Sequence, residues 1–481
     1  MNIAFIPIDN RPVCYTLPEQ ICAINKNIKL FIPERNLLGD LKKCANVDEI
    51  FKWLESLPEC DSIVMCLDTV AYGGLIPSRR STDTFEEIKM RIEKLKSILE
   101  TKQAKIYAFS SIMRISNNNV NEEEKEYWNK WGKKIFNYSY CMDKFGTICK
   151  KEVPDEILED YLSTRKRNFE INKLYLDWQK SGFFETLVFS KDDCAEFGFN
   201  VQEAKTLEKL GGFVKTGADE IPLTLLARAI QMTRRQEDKR TSLYHEKSLS
   251  SYPSQTSLKV APIFLLPENK HLISNYEDVS IEKSVLGQLE LAGCEVCEPE
   301  NADILLYINN FEDHQGEIVM KVDTKQFSGI WQKPDKPYMI ADVRFANGAD
   351  NAFVQKLFET DLDDNFYGYS AWNTSANTLG SLICAAVVMT SPAFLNRFAQ
   401  RTAPSPKLGE GWDKVNFKKL QVIRFLDDWA YQANVRQAGT MEIGKLMKPF
   451  EEKVFKKLDV HYNVNYSFPW NRLFEVEIEL S

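Results

Sequence analysis

Histidine is scarce in this chain of 481 residues, which contains only His245, His271, His314 and His461. No two of them lie three or four residues apart, so the helical H-E-x-x-H zinc motif and its relatives are absent. No G-x-S-x-G segment accompanies any of them, so the usual sign of a serine hydrolase is missing. The chemistry of the chain is therefore expected to depend on carboxylates rather than on imidazoles.

Phosphate-binding loops and long apolar runs are also lacking. The glycine pairs at 73–74 and 211–212 match neither G-x-x-x-x-G-K-[ST] nor G-x-G-x-x-G, which argues against nucleotide binding. The apolar runs at 3–8 and 383–389 are too short to cross a bilayer, and no signal peptide is recognisable at the start. The formal net charge of −8 gives no positive field for nucleic acid. We expect a cytoplasmic protein that binds neither membranes nor nucleic acid.

The eleven cysteines are irregularly spaced and odd in number. In a long chain without a signal peptide this pattern is typical of reduced, buried thiols. Cys294 and Cys297 form a C-x-x-C, but no second pair with zinc-finger spacing accompanies it. No structural zinc site is therefore expected.

Short apolar runs alternate with amphipathic segments along most of the chain. The runs are continuously apolar, as expected for parallel strands that are covered on both faces. The alternation predicts an α/β protein with a mainly parallel sheet, either (β/α)-barrel-like or doubly wound, and an additional helical C-terminal segment. The predicted strands are 3–8, 28–32, 62–67, 105–109, 186–189, 213–215, 259–265, 304–308, 338–341 and 368–371. The predicted helices are 47–57, 85–99, 155–180, 222–236, 281–291, 351–358 and 416–436, and 473–480 is a predicted edge strand.

The polar, serine-rich segment 237–257 predicts a linker. It would separate an N-terminal α/β part over 1–236, which carries most of the motif residues, from a second α/β part over 258–400. A mostly helical C-terminal segment over 405–481 would follow. The length of the chain is sufficient for two or three domains.

Polar clusters follow the carboxyl ends of most predicted strands. Ligands bind at this edge in barrels and in open parallel sheets, because side chains from several strands converge there. The clusters are rich in aspartate, arginine and asparagine. This placement predicts a shared site for a small-molecule substrate.

The adjacent pair Asp192 and Asp193 gives the sharpest hypothesis about chemistry. Neighbouring residues that leave a strand point to different sides, so one can be a general acid or base while the other orients the substrate. Asp9, Asp68 and Asp342 follow other predicted strands and are candidates for a second carboxylate. Most glycosidases work with two carboxylates and need no histidine. The leading hypothesis is therefore a hydrolase of a glycoside or a similar polyol-bearing small molecule.

Arginine, amide and aromatic side chains at the same strand ends are predicted to bind this substrate. Guanidinium groups bind carboxylates or phosphates in a fork, and an indole beside amides suits a sugar. The structural alternative is that the arginines pair with the aspartates and that Asn377 or a neighbour caps a helix. The predicted substrate-binding residues are Arg11, Tyr72, Arg79, Arg114, Asn117, Trp372, Asn373 and Asn377.

Two other functions remain open at this point. The same aspartates could hold Mg²⁺, Mn²⁺ or Ca²⁺ in a metal-dependent hydrolase or transferase, since these ions prefer oxygen ligands. The arginines and asparagines could instead anchor a ligand in a non-catalytic binding protein. No cofactor is predicted, and a divalent metal is the alternative.

Three acidic segments are interpreted as structural. Residues 121–126 form a charge run that indicates a solvated helix start. Asp219 and Glu220 precede an apolar helix, where acidic residues complement the helix dipole. Asp427 and Asp428 are interpreted as the solvated edge of the helix predicted at 416–436.

Six segments together resemble a bacterial family known only as a domain of unknown function, and they extend over most of the chain. Members of that family begin with a signature like Ile-Pro-x-Asp-x-Arg-Pro-Val-Asn, and Cys14 stands here in place of its final asparagine. The resemblance implies a bacterial, cytoplasmic protein whose motif residues lie at strand ends, and it implies no substrate. The segments are 6–13, 67–75, 110–114, 192–193, 217–220 and 372–374.

Overall fold

A computed structural model describes residues 1–148, 152–192, 195–244, 257–390 and 411–481. Within these residues the chain divides into two compact units. Unit 1 comprises Met1–Tyr15, Leu30–Pro222 and Tyr276–Asp278. Unit 2 comprises Thr16–Lys29, Leu223–Asn275 and Val279–Ser481. Most of the predicted linker, residues 245–256, lies outside the described residues.

The strands and helices alternate through both units, in the order that the sequence pattern predicts. The strands are β1 (Asn2–Ile6), β2 (Lys29–Phe31), β3 (Ser62–Cys66), β4 (Lys105–Ile112), β5 (Thr186–Lys191), β6 (Phe213–Thr216), β7 (Lys259–Phe264), β8 (Glu295–Val296), β9 (Ile304–Asn309), β10 (Gly316–Glu317), β11 (Tyr338–Asp342), β12 (Phe345–Ala346), β13 (Phe366–Ser370), β14 (Val464–Ser467) and β15 (Glu477–Leu480). The helices are α1 (Thr16–Cys22), α2 (Val47–Ser56), α3 (Leu67–Ala71), α4 (Leu75–Arg80), α5 (Phe85–Glu100), α6 (Trp128–Phe145), α7 (Asp155–Lys180), α8 (Phe199–Lys209), α9 (Ile221–Tyr244), α10 (Ile281–Ala292), α11 (Asn351–Glu359), α12 (Ser375–Met389), α13 (Lys414–Arg424) and α14 (Gly444–Leu458).

Unit 1 is built on a six-stranded sheet with the order β2-β1-β3-β4-β5-β6. Every pairing from β1 to β6 is parallel. All residues of β3 and β5 are buried, which explains why these strands are continuously apolar at their centres. The order 2-1-3-4-5 is that of a doubly wound fold, and the direction of winding reverses between β1 and β3.

Helix α5 shows how local sequence sets an element against this sheet. Thr84 accepts a hydrogen bond from the Glu87 backbone, and the Glu87 side chain accepts one from the Thr84 backbone, which together form a capping box. Ile88, Ile92 and Leu95 follow at helical spacing and are fully buried. The cap fixes where the helix begins, and the apolar stripe fixes which face meets the core.

Unit 2 is built on a five-stranded sheet with the order β13-β11-β9-β7-β8. All of its pairings are parallel. Counted along the chain from β7, the strands of this sheet again follow the order 2-1-3-4-5, and the winding reverses between β7 and β9. The predicted α/β fold with a mainly parallel sheet is confirmed, and each unit has the doubly wound strand order.

The C-terminal part of unit 2 is largely helical, as predicted. Helix α13 continues into a π-helical segment, Phe425–Val435, and α14 follows. The chain ends in an antiparallel pair, β14 and β15, so the predicted edge strand at 473–480 is present in shortened form. Residues 391–410, which include the end of the predicted second part, lie outside the described residues.

The described cysteines are mostly free thiols. Eight of them are unbonded, and most of these are buried, as the sequence predicts. Cys141 is the exception, since it is disulfide-bonded, and the expectation of reduced thiols throughout is wrong for this residue. Among the described helices, none combines the length and apolar character that a membrane span requires.

Candidate functional site

The carboxyl edge of the unit 1 sheet is where the predicted site residues of that unit follow their strands. The point between β1 and β3, where the winding reverses, is the usual place for a ligand in such a sheet. The Thr69 hydroxyl donates to the carbonyl oxygens of Pro7 and Ile8, at 2.5 and 3.2 Å, and so joins the end of β1 to α3. Asp9 and Asp68 lie beside this junction, one after each strand.

Arg11 holds two carboxylates at this edge. Its Nε lies 3.0 and 2.9 Å from the two oxygens of Asp9, and its Nη2 and Nη1 lie 2.6 and 3.0 Å from the two oxygens of Asp219. The side chains of Arg11, Asp9 and Asp219 are only 9, 6 and 13% exposed. Asp219 follows β6, which three strands separate from β1 in the sheet. The ion pairs therefore connect the loops after β1 and β6 across the ends of β3, β4 and β5.

Asp68 is buried and joins two strand ends. Its Oδ2 accepts a hydrogen bond of 2.8 Å from the Ser111 backbone at the end of β4 and contacts the Cys66 thiol at 3.7 Å. Burial raises the pKa of Asp68 to about 6, although the bonds from Ser111 oppose the shift. Asp68 can therefore change its charge near neutral pH, but it is only 1% exposed.

Asp192 lies directly after β5 and belongs to a network around Arg114. The Arg114 guanidinium is 3.4 Å from Asp192, 2.7 Å from Glu123 and 3.3 Å from Glu124. Arg79, which is 2% exposed, adds a bond of 3.1 Å to Glu124. The Asp192 side chain is 22% exposed, so it can meet a ligand while Arg114 holds it.

The charge run at 121–126 is not the solvated helix start that the sequence suggests. Helix α6 begins at Trp128, and Glu124 is only 4% exposed. Glu124 also accepts a hydrogen bond of 3.2 Å from the Ser116 hydroxyl. The charge of Glu124 is compensated by arginines from other segments, which the local sequence does not reveal.

Three further ionisable groups lie at the edge near β5 and β6. Lys191, the last residue of β5, forms an ion pair with Asp278, which also accepts a hydrogen bond of 2.7 Å from Thr216. Glu220 is fully buried and accepts a bond of 3.2 Å from the Ala218 backbone. Burial raises the pKa of Glu220 to about 8, so this carboxyl is largely protonated at neutral pH.

Asp219 and Glu220 therefore do more than complement a helix dipole. Both precede α9, which begins at Ile221, but Asp219 pairs with Arg11 and Glu220 is buried in its own loop. Sequence reasoning did not include either residue in the site. The position of the Gly-Ala-Asp-Glu segment directly after a predicted strand could have indicated that these residues belong to the site.

The remaining predicted residues of unit 1 differ in their surroundings. Tyr72 is buried, with the Arg167 guanidinium 5.6 Å from its ring centre. Asn117 is exposed in the segment between β4 and α6. Asp193 lies outside the described residues, so its predicted catalytic role stays a prediction.

In unit 2, Asp342 is the last residue of β11 and is completely buried. Its Oδ1 accepts a bond of 2.8 Å from Asn309, and its Oδ2 accepts bonds of 2.9 Å from the Asp350 backbone and from the Tyr369 hydroxyl. Burial, and then the neighbouring charge of Asp350, raise the pKa of Asp342 to about 7. Three residues from separate segments thus meet at this carboxyl.

The predicted residues Trp372, Asn373 and Asn377 lie after β13 and in the first turn of α12. Asn373 accepts a bond of 2.7 Å from the Asn347 backbone, and Asn347 has a positive φ of 59°. Thr374, rather than Asn377, caps α12, because its hydroxyl accepts the Asn377 backbone N–H at 3.3 Å. The structure thus brings Asn347, which sequence reasoning did not select, beside the predicted group.

Asp428 is not part of a solvated edge. It is completely buried, and its Oδ2 lies 2.8 Å from the Arg424 guanidinium and accepts a bond of 2.5 Å from the Ala371 backbone. Asp427 accepts a bond of 3.1 Å from Gln432, and burial together with Asp428 raises the pKa of Asp427 to about 7. The π-helical segment therefore directs a charged group inward, which the helical periodicity of the sequence did not predict.

Within the described ranges, no group of three or more histidine, cysteine, aspartate or glutamate side chains has the arrangement of a metal site. The carboxylates described above are instead held by arginines, backbone amides and hydroxyls.

Comparisons with known proteins leave the function open. A search of curated proteins finds no match, and a search of solved structures finds none either. The model of the family DUF4127, described as a protein of unknown function, matches residues 3–447. This confirms the resemblance that the sequence motifs indicate, over nearly the whole chain. The chain belongs to the DUF4127 family.

Proposed function

We propose that the protein is a hydrolase that acts on a glycoside or a similar polyol-bearing small molecule, with its catalytic carboxylates at the carboxyl edge of the unit 1 sheet. The observation that carries the proposal is the pair of salt bridges from Arg11 to Asp9 and Asp219. It connects the loops after β1 and β6 and so encloses the ends of the strands between them. Partly exposed charged groups, Asp192 and Arg114, follow those enclosed strands.

Asp192 is our candidate for the general acid and base. Its carboxylate is partly exposed and is held 3.4 Å from the Arg114 guanidinium, so it is both accessible and oriented. As a general acid it would donate its proton to the oxygen of the leaving group as the glycosidic bond breaks. In a retaining reaction it would then take a proton from the attacking water, whereas in an inverting reaction the second carboxylate would do so.

Asp9 is our candidate for the second carboxylate. Arg11 Nε lies within 3.0 Å of both of its oxygens, which favours one orientation of the carboxylate. A fixed, charged carboxylate suits either attack on the sugar carbon or activation of a water molecule.

The test is hydrolysis of a panel of aryl glycosides by the purified chain and by the variant Asp192→Asn. Loss of a general acid typically reduces the rate by about 10²- to 10⁴-fold, so we expect a fall of that size in kcat/KM. The matched control is Asp48→Asn, because the Asp48 side chain is 85% exposed in α2 and lies outside the site. The control should keep the activity of the native chain.

The alternatives give different results in the same assay. Activity that a chelator abolishes and Mg²⁺ restores would favour the metal-dependent hydrolase or transferase over acid and base catalysis. Tight sugar binding with no turnover would favour the non-catalytic binding protein. Full activity of Asp192→Asn, with the panel being hydrolysed, would show that our assignment of the acid is wrong.

We also propose a bacterial, cytoplasmic setting for this enzyme. The free thiols support a reducing compartment, since eight described cysteines are unbonded. The family resemblance, as the sequence motifs suggested it, supports the bacterial source.

A further inference from the structure

Several buried polar atoms lack a hydrogen-bond partner among the described residues, and a group of them lies at the carboxyl edge of the unit 2 sheet. All the residues of this group are more than nine-tenths buried. The atoms are Asn347 Oδ1, Trp372 Nε1, Asn377 Oδ1, Arg424 Nε and Asp428 Oδ1. Leaving a buried polar atom unbonded costs free energy, so such a group indicates a place where a ligand can supply the missing bonds.

Hydrogen bonds join these residues into one neighbourhood. The backbone of Asn347 bonds to Asn373, the residue after Trp372, at 2.7 Å. The Asp428 carbonyl accepts a bond of 3.0 Å from Ala349, and its carboxylate accepts one of 2.5 Å from Ala371. Residues 347–349, 371–377 and 424–428 therefore meet after β11 and β13. We name this group of segments the β13 cluster.

An unpartnered indole alone would not indicate a site. Trp331 Nε1 is also unpartnered among the described residues, but its ring packs against Tyr307, Tyr338 and Phe353 in an aromatic part of the core. The β13 cluster differs because its hydrogen-bonded segments also carry unpartnered amide and carboxylate oxygens.

The chemistry of the unpartnered atoms restricts the ligand. Asn347 Nδ2 donates a bond of 2.7 Å to Glu317, whose carboxylate accepts, so the other terminal atom of Asn347 is its oxygen. Three acceptors, on Asn347, Asn377 and Asp428, accompany two donors, on Trp372 and Arg424. A metal ion or an ammonium group could not satisfy the donors, and a phosphate could not satisfy the acceptors. Hydroxyl groups both donate and accept, and therefore fit both kinds of atom.

We propose that the β13 cluster is a binding site for a neutral, hydroxyl-rich small molecule, such as a sugar or a polyol. The Trp372 ring offers an apolar face for C–H groups, and its neighbours offer hydrogen bonds to hydroxyls. The site belongs to unit 2 and does not depend on hydrolysis in unit 1. It extends the predicted binding residues Trp372 and Asn377 to Asn347, Arg424 and Asp428.

The experiment is calorimetric titration of the full chain with glucose, N-acetylglucosamine and myo-inositol as probes, followed by variants of the β13 cluster. Trp372→Phe removes the indole donor, Asn377→Ala removes an amide, and Asn347→Gly suits the positive φ of that position. Each variant loses one hydrogen bond to the probe, so we expect its Kd to rise about tenfold. Trp331→Phe is the matched control, and its Kd should equal that of the native chain.

The outcomes separate this proposal from the one for unit 1. Hydrolysis by Asp192→Asn tests only the proposal for unit 1, whereas the Kd of the β13 cluster variants relative to that of Trp331→Phe tests only this one. If Asn347→Gly does not fold, as circular dichroism would show, Trp372→Phe and Asn377→Ala still decide the question. Absence of binding for all three probes would overturn the proposal. Equal affinities for Trp372→Phe, Asn377→Ala and the native chain would also overturn it, and water molecules would then account for the unpartnered atoms.

Discussion

Replacing Arg11 by methionine tests whether its salt bridges hold the carboxyl edge of unit 1 together. The substitution keeps a long, flexible side chain and removes the guanidinium that binds Asp9 and Asp219. It leaves two carboxylates, with side chains 6 and 13% exposed, close together and without their shared cation. Removing one partner of a buried pair costs about 3–5 kcal/mol, far more than the pair itself contributes.

We expect Arg11→Met to lose about 3 kcal/mol, near the lower limit of that range, because Asp219 keeps some contact with water. The matched control is Arg80→Met. Arg80 is 3.5 Å from Glu126, but the two side chains are 25 and 83% exposed, so the control should lose less than about 1 kcal/mol. The two variants make the same chemical change and differ in the burial of the partners.

The assay is equilibrium unfolding in urea, with each observed transition fitted separately. Hydrogen exchange of the backbone at 9–14 and 217–220 adds a local measurement, and exchange there should accelerate in Arg11→Met. The triple variant Asp9→Asn, Arg11→Met, Asp219→Asn removes every charge of the group and should recover much of the lost stability. Arg11→Met with the stability of Arg80→Met, and with native exchange in both loops, would refute the reasoning.

Two further predictions concern the loop after β6. Gly217→Ala would place a Cβ 1.6 Å from Glu220 Oε1, whereas Gly211→Ala meets no atom within 4 Å, and both glycines have positive φ. Gly217→Ala should therefore cost about 1–3 kcal/mol more than its control, measured by urea unfolding, and equal losses would contradict the close contact. The folded pKa of Glu220 is raised from 4.5 to about 8, so its contribution to stability is present below pH 4.5 and is lost as the pH rises to about 8. Glu220→Gln should remove a slope of about 1.4 kcal/mol per pH unit from the unfolding free energy in that window, and an unchanged slope would contradict the shift.

The main strands could be predicted because parallel strands covered on both faces consist of apolar residues. The ten interior strand predictions each correspond to a strand of the two main sheets. The missed strands β8, β10 and β12 have two residues each, which is too short for any pattern. Strand β14 was also missed, and none of its four residues is buried. Helix α6 was missed because Gly132 and Ser139 occupy two of its buried positions and interrupt the apolar stripe.

The site was only partly predictable, because a sequence pattern indicates strands but not their order in a sheet. Asp9 and Arg11 were recognised at a strand end, whereas the partner Asp219 is 208 residues away from Arg11 in the chain. The loops after β1 and β6 determine which strand ends meet. The local periodicity of the sequence does not reveal where these loops lie. Glu124 was missed for a related reason, since the arginines that compensate its buried charge come from α4 and the segment after β4.

Asp68 in unit 1 and Asp342 in unit 2 have the same structural role, because each accepts hydrogen bonds from groups at the ends of neighbouring strands. In each main sheet the third and fourth strands, counted along the chain within that sheet, lie side by side, and their ends carry backbone or amide groups that need acceptors. In unit 1 the carboxylate follows the third strand and accepts from Ser111 on the fourth. In unit 2 it ends the fourth strand and accepts from Asn309 on the third, its direct partner in register.

Both carboxyls are buried because they join strand ends, and burial raises the pKa of Asp68 to about 6 and that of Asp342 to about 7. A raised pKa at these positions is therefore a consequence of packing and is not by itself a sign of catalysis. Asp192 differs from both, because its side chain is 22% exposed beside Arg114. Accessibility, rather than the size of a pKa shift, is the reason to assign the acid and base chemistry to Asp192.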